Sequence, residues 1–82
     1  MQYSKWEISW AFHRFDVEVM ELGGEGAFIL NDAKHKRCAN IIRTSVNHYI
    51  VSVCDYGSYL IDQYKFSTCK KAVEYLQVYF SK

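Results

Sequence analysis

The sequence contains no proline and only four glycines among its 82 residues. Proline interrupts helices and sheets because it lacks a backbone N–H. Its absence favours long uninterrupted elements, although compositional drift would explain it equally well. No apolar run approaches the roughly 18 residues that a membrane-spanning helix needs. The charge at Glu7 interrupts any hydrophobic segment near the start, so we expect no signal peptide and no membrane contact.

An excess of charge of one sign is also lacking, since ten basic and nine acidic side chains give a formal net charge of +1. Such a balance does not by itself indicate a nucleic-acid-binding protein. The three cysteines, Cys38, Cys54 and Cys69, are odd in number and widely spaced. Without a secretory signal they predict reduced thiols in a cytoplasm.

Apolar and aromatic residues are abundant by contrast, at 50% and 17% of the chain. These fractions favour a packed core over disorder, and a chain of this length suffices for one domain. We therefore predict a single α+β domain over residues 1–82. It comprises a small antiparallel sheet of about four to five strands, with an amphipathic C-terminal helix packed on one face.

The helix is predicted over residues 67–80. Ser67 or Thr68 can cap its first turn, because a hydroxyl oxygen there accepts a backbone N–H. At 100° per residue, six side chains fall within an arc of about 120° and would face the core. They are Cys69, Ala72, Val73, Leu76, Tyr79 and Phe80.

Three segments that favour β-structure precede the helix. Residues 40–46, 49–54 and 58–66 are rich in β-branched or aromatic side chains. Turns are predicted at residues 47–48 and 55–57. Connections this short join antiparallel neighbours, because parallel strands need a long crossover. The second half of the chain is therefore predicted to be a three-stranded meander.

The first half is less clearly patterned. Residues 15–30 predict a hairpin, with an acidic outer face on its first strand and a glycine-rich tip at residues 23–26. Residues 32–39 are polar and predict a loop or one helical turn.

Residues 3–12 fit two patterns. Trp6, Ile8, Trp10 and Phe12 alternate as they would in a strand. A capping box at the start, with Trp6 and Trp10 four residues apart, fits a helix instead. We favour the strand and leave the helix open.

No arrangement of residues indicates an enzyme, a metal site or a cofactor. Structural zinc usually needs two close ligand pairs, whereas His48 and Cys54 are six residues apart. A helix start can activate a thiol such as Cys69, but this residue also lies on the apolar stripe and would pack as a small hydrophobe. Motifs for nucleotide binding or hydrolysis are absent.

The basic residues favour an alternative, nucleic-acid interpretation. Lys34, Lys36 and Arg37 form a basic stretch, and Lys70 and Lys71 lie at the start of the predicted helix. A meander followed by a helix that opens with these two lysines resembles the C-terminal half of a double-stranded-RNA-binding domain. The resemblance implies that basic residues at this helix start contact phosphates. The alternative is therefore a small RNA- or DNA-binding module that uses these five residues.

Acidic and basic residues are segregated along the chain. Residues 15–32 contain five acids and no base, and residues 33–43 contain four bases and no acid. If Asp16 and Glu18 share the outer face of one strand, they lie about 7 Å apart, close to the phosphate spacing along a DNA strand. Such a face could occupy a nucleic-acid channel in another protein.

We therefore expect a non-enzymatic protein-binding domain. Its most specific form is a phage- or mobile-element-encoded inhibitor, of the anti-CRISPR or anti-restriction kind, that occludes a nucleoprotein complex. Tyrosine gives a large contact area at low entropic cost and is enriched at binding hot spots. Homodimerisation through a strand edge is a further expectation for so small a domain. The expected partner-binding residues are Asp16, Glu18, Glu21, Tyr56 and Tyr59.

Overall fold

The computed structural model describes residues 5–22, 27–56 and 62–82. Within these ranges the chain forms one helix, then five strands, then a second helix. The elements are α1 (Lys5–Ala11), β1 (Glu18–Leu22), β2 (Ala27–Asp32), β3 (Arg37–Ser45), β4 (His48–Asp55), β5 (Asp62–Phe66) and α2 (Cys69–Ser81). Within the described ranges, no helix is long and apolar enough to cross a membrane.

The five strands form one antiparallel sheet in the order β1-β2-β3-β4-β5. Each strand therefore pairs with its sequence neighbour, as expected where connections are short. The predicted small α+β fold, with a meander and a C-terminal helix, is confirmed. The predicted hairpin over residues 15–30 is present as β1 and β2, although β1 begins only at Glu18.

Helix α2 forms where the sequence predicted it. Thr68 is its N-cap, and its Oγ1 accepts a hydrogen bond from the backbone N–H of Lys71 at 3.2 Å. Five of the six stripe residues are buried and the sixth, Tyr79, is half-buried. The helix contacts β4 and β5, so the apolar stripe packs on the sheet.

The strand that we favoured for residues 3–12 is wrong, because residues 5–11 form helix α1. Trp6 and Trp10 are spaced four residues apart, and so are Ile8 and Phe12. A helix places these two pairs on separate faces. Ile8 and Phe12 point inward and are fully buried. Phe12 packs edge-on against Phe80 of α2, with ring centroids 6.0 Å apart. A strand would have put all four aromatic and aliphatic side chains on one face.

Two smaller boundaries also differ from the prediction. Strand β3 begins at Arg37, and only residues 33–36 of the predicted loop form a turn. The turn after β3 lies at residues 46–47, where Asn47 adopts a φ of 68°. The predicted glycine-rich tip at residues 23–26 and the predicted start of the last strand at residue 58 lie outside the described residues.

Both helices pack on the same face of the sheet. The side chain of Gln77 in α2 donates a hydrogen bond from Nε2 to the carbonyl of Ala11 in α1, at 3.0 Å. Alternate residues of the central strands point toward the helices and form the core with Ile8 and Phe12. No described element covers the opposite face, which we call the open face. Its exposed apolar side chains include Met20, Leu22 and Ile42.

One buried ion pair joins the sheet to the end of α2. Asp32 ends β2 and Arg37 begins β3, and both side chains are buried. The guanidinium donates from Nε to Asp32 Oδ2 at 3.2 Å and from a terminal nitrogen to the carbonyl of Phe80 at 2.7 Å. The second bond satisfies a carbonyl in the last turn of the helix, where intrahelical partners are missing. This pair therefore fixes where α2 ends above the sheet.

Removing one partner of this pair should be strongly destabilising. We expect Asp32→Ala to lower the free energy of unfolding by about 3 kcal/mol, because it leaves the Arg37 charge buried without its counter-ion. Urea denaturation measures the change. Asp16→Ala, at an exposed acid, is the matched control and should change stability by less than about 0.5 kcal/mol. Equal effects of the two substitutions would contradict the structural role of the pair.

The Asp32 carboxylate also predicts a pH dependence. Burial alone would raise its pKa, but hydrogen bonds from His35 and Arg37 bring the pKa below its ordinary value. A lowered folded pKa means that the carboxylate stabilises the fold above about pH 4 and that this contribution is lost as the pH falls through the folded pKa. Denaturation at a series of pH values should show a steeper acid loss for the wild type than for Asp32→Asn. Parallel curves would contradict this assignment.

Candidate protein-binding surface

The outer side of α1 carries two highly exposed tryptophans. Trp6 is 73% exposed and Trp10 is 62% exposed. They lie four residues apart, one helical turn, and the burial of Ile8 and Phe12 on the opposite side turns them to solvent. Their rings are nearly parallel, with an interplanar angle of 3° and centroids 6.1 Å apart.

His13 extends this pair into a row of three rings. Its imidazole lies 4.5 Å from the Trp10 ring, centroid to centroid, at an interplanar angle of 7°. Its Nδ1 lies 2.7 Å from the carbonyl of Trp10, which holds the imidazole over the end of the helix. We call Trp6, Trp10 and His13 the aromatic row. A shallow depression lined by the row and by Ser9 follows this side of α1.

Exposed tryptophans of this kind have no role in the core. Isolated exposed apolar residues are ordinary, whereas two adjacent large ones form a patch that water solvates poorly. Tryptophan is among the residues most enriched at binding hot spots, since it combines a large rigid surface with one N–H donor. The aromatic row is therefore the strongest candidate contact surface of the described residues.

Acidic side chains lie on β1 and in the turn that precedes it. Asp16 is exposed in the turn between α1 and β1, and Glu18 and Glu21 are exposed on β1. Helix α1 contacts β1, so the helix that carries the row lies against the strand that carries two of the acids. We call these three residues the acidic edge, since β1 is an edge strand.

The acidic edge differs from its predicted geometry. Asp16 lies in a turn, so a strand repeat does not set its distance from Glu18. Glu18 pairs with Asn31 on the open face, whereas Glu21 pairs with the buried Phe28 and lies on the helix side. The carboxylates therefore surround the edge strand instead of lining one face of it.

Tyr56, the residue after β4, contacts β2, the strand next to β1. Its backbone N–H donates to the carbonyl of Lys36 at 2.7 Å, and its hydroxyl donates to Oδ1 of Asn31. Because Asn31 is the cross-strand partner of Glu18, the structure brings Glu18 and Tyr56 to the same end of the open face. Tyr56 is 47% exposed. The fifth predicted residue, Tyr59, lies outside the described residues.

The five residues of the nucleic-acid alternative are placed in separate regions. Lys34 and Lys36 are exposed in the turn beside the C-terminal end of α2, where Arg37 reaches Phe80. Lys70 and Lys71 are exposed at the other end of that helix, about 18 Å away. Arg37 itself is buried in the ion pair with Asp32 and stacks against the rings of Tyr79 and Phe80. The structure does not bring these five side chains together.

The sequence interpretation missed the aromatic row as a site. Its signal was present, since Trp6 and Trp10 are spaced for one helical face, but we favoured a strand for this segment. Across the described part of the chain, no group of three histidine, cysteine or acidic side chains is placed to hold a metal ion. Comparisons with models of known protein families, with curated proteins and with solved structures find no match.

The exposure of the tryptophans predicts a small effect on stability. We expect Trp6→Ala and Trp10→Ala each to lower the free energy of unfolding by no more than about 1 kcal/mol, the contribution of a surface aromatic pair. Phe12→Ala, two residues beyond Trp10 but in the core, should cost about 3–5 kcal/mol. Urea denaturation of the three variants checks the contrast. A loss at Trp10 as large as that at Phe12 would show that the row is part of the core.

Proposed function

We propose that this chain is a non-enzymatic protein-binding domain that contacts its partner through the aromatic row and the acidic edge. The observation that carries the proposal is the pair of parallel, exposed tryptophans on α1, with Trp6 73% exposed and Trp10 62% exposed. Burying this pair in a partner removes a large apolar surface from water. Contacts of that kind dominate the energy of protein interfaces.

The charge of the adjacent surface favours a basic partner. Asp16, Glu18 and Glu21 are exposed on β1 and in the turn that joins it to α1. A partner surface that accepts both carboxylates and flat rings has the chemistry of a single-stranded nucleic-acid groove, which combines positive charge with aromatic stacking platforms. The carboxylates would take the place of phosphates and the stacked rings that of bases. The chain would then exclude nucleic acid from its partner by occupying the groove.

The most specific form of the proposal is a phage- or mobile-element-encoded inhibitor, acting in a host cytoplasm on a nucleoprotein complex. Anti-CRISPR and anti-restriction proteins are of this kind. Support for this form comes from the small domain, the acidic edge and the aromatic row together. It rests on general character, since no motif in the sequence defines such a class.

A second candidate is a small RNA- or DNA-binding module. The observation that favours it is the pair of exposed lysines, Lys70 and Lys71, on the first turn of α2. The positive end of the helix dipole lies at the same place and would add to their attraction for phosphate. Because Lys34 and Lys36 lie at the other end of the helix, this module would use Lys70 and Lys71 as its main contacts.

Capture from a bacterial lysate freed of nucleic acid tests the leading proposal. The immobilised chain should retain a basic nucleic-acid-binding protein, and an added single-stranded oligonucleotide should displace it. With the purified partner, Trp10→Ala should weaken binding by at least about 30-fold, as expected for a hot-spot residue. Glu18→Lys should weaken it most at low salt, where charge attraction is least screened.

Matched variants separate the two candidates. Val46→Ala removes a side chain that is 69% exposed, on the turn after β3, and should leave partner binding unchanged. Lys70→Glu with Lys71→Glu should also leave it unchanged. A gel shift with duplex RNA and DNA at two salt concentrations tests direct binding. Salt-sensitive retention that the double lysine reversal abolishes, or partner binding that Trp10→Ala leaves intact, would overturn the leading proposal.

A further inference from the structure

Two cysteines face each other across neighbouring strands of the open face. Cys38 of β3 and Cys54 of β4 are direct cross-strand partners in the antiparallel register. Both side chains are half-buried, and they lie on the face that the helices leave uncovered. Cys69, by contrast, is buried on α2 beneath the other face of the sheet. The fold therefore pairs two of the three thiols and isolates the third.

The register also sets how far apart the paired cysteines lie. The backbone N–H of Tyr56 donates a hydrogen bond to the carbonyl of Lys36. Lys36 and Tyr56 are therefore a cross-strand pair of the hydrogen-bonded type. Hydrogen-bonded and non-hydrogen-bonded pairs alternate along an antiparallel ladder. Cys38 and Cys54 are two residues further on and are again a hydrogen-bonded pair, for which the Cα separation is about 5.5 Å. Disulfides most often join Cα atoms about 5.5–6 Å apart. They also need Cβ atoms about 3.5–4.5 Å apart, so the Cβ atoms of this pair must approach each other by about 1 Å when the bond forms.

A concavity on the open face gives small molecules access to both thiols. Its volume is about 500 Å³, and its lining combines the two cysteines with apolar and amide side chains. Asn40 lines it, and the buried Oδ1 atom of that residue has no hydrogen-bond partner among the described residues. An unpaired buried acceptor attracts a ligand with an N–H donor. A peptide-like disulfide, such as oxidised glutathione, combines that donor with the electrophile that a thiol pair needs.

We propose that Cys38 and Cys54 form a modification site at which a low-molecular-weight disulfide converts the two thiols into a cross-strand disulfide. One cysteine thiolate attacks a sulfur of the reagent, which forms a mixed disulfide and releases one thiol. The other cysteine thiolate then attacks the protein sulfur of the mixed disulfide and displaces the second thiol. The protein loses two electrons and two protons, and the reagent is reduced to two thiols. This site is separate from the aromatic row and does not rest on the proposed function.

The environment of Cys38 lowers the reactivity of its thiol. Burial, with further contributions from Cys54 and Asp55, raises the pKa of Cys38 above its ordinary value. A raised pKa lowers the fraction of thiolate, which is the nucleophile. The Cys38 thiol therefore reacts more slowly than a thiol of ordinary pKa. Bond formation breaks the weak contact from the Cys54 thiol to the carbonyl of Asp55 at 3.3 Å.

Oxidised glutathione and the folded full-length chain test the proposal. After alkylation of remaining thiols, peptide mapping without reduction should show one internal bond, between Cys38 and Cys54, with Cys69 alkylated only after unfolding. Oxidation should raise the melting temperature of the protein by about 10 °C, because the bond closes a loop of about 15 residues in the unfolded chain. Addition of dithiothreitol should reverse both changes.

Single variants provide the matched controls. Cys38→Ser should stop at a stable glutathione adduct on Cys54, and Cys69→Ala should form the internal bond as the wild type does. The same reaction in denaturant should yield mixed pairings, which shows that the fold selects the partners. The proposal is wrong if the folded wild type remains a stable glutathione adduct, fails to react, or pairs Cys69 with either other cysteine.

Discussion

The packing of both helices on a single face of the sheet is the constraint on which the rest of this structure depends. A five-stranded sheet has two broad faces, and the described elements supply helices for one of them. Ile8 of α1 and Phe12, which follows α1, are part of the core, and Phe12 packs against Phe80 of α2. The ion pair of Asp32 with Arg37 fixes the last turn of α2. Every other surface feature is defined by what this packing leaves outside.

Two different surfaces result from that packing. One is the aromatic row with the acidic edge, where turning Ile8 and Phe12 inward places Trp6 and Trp10 in water. The other is the open face, where alternation along the strands exposes the residues opposite to the core. The first surface has large flat rings on α1 and carboxylates on the strand that α1 contacts. The second has a concavity with two adjacent thiols and suits a small molecule.

Basic residues that are neighbours in the sequence lie in different environments in the structure. Lys34, Lys36 and Arg37 are neighbours in sequence, yet Arg37 turns into the core while the two lysines remain in the exposed turn. Arg37 is the first residue of β3, and the alternation of side chains along that strand points it toward the core. The carbonyl of Phe80, at the end of α2, accepts a hydrogen bond from it there. The charge of Arg37, which the sequence pattern assigned to a basic surface, therefore stabilises the fold from a buried position.

The sequence by itself determined the elements whose patterns are local. The period of the apolar stripe and the cap at Thr68 specified α2, and short turns between β-prone segments specified the meander. It did not determine α1, because Trp6, Ile8, Trp10 and Phe12 satisfy both a helical and a strand period. Tertiary structure decided that case, since α1 reaches the core only by packing beside α2 and β1. Which thiols face each other depends on the register of the β3–β4 hairpin, which the turn at residues 46–47 and the register shift between Arg43 and Ser45 set.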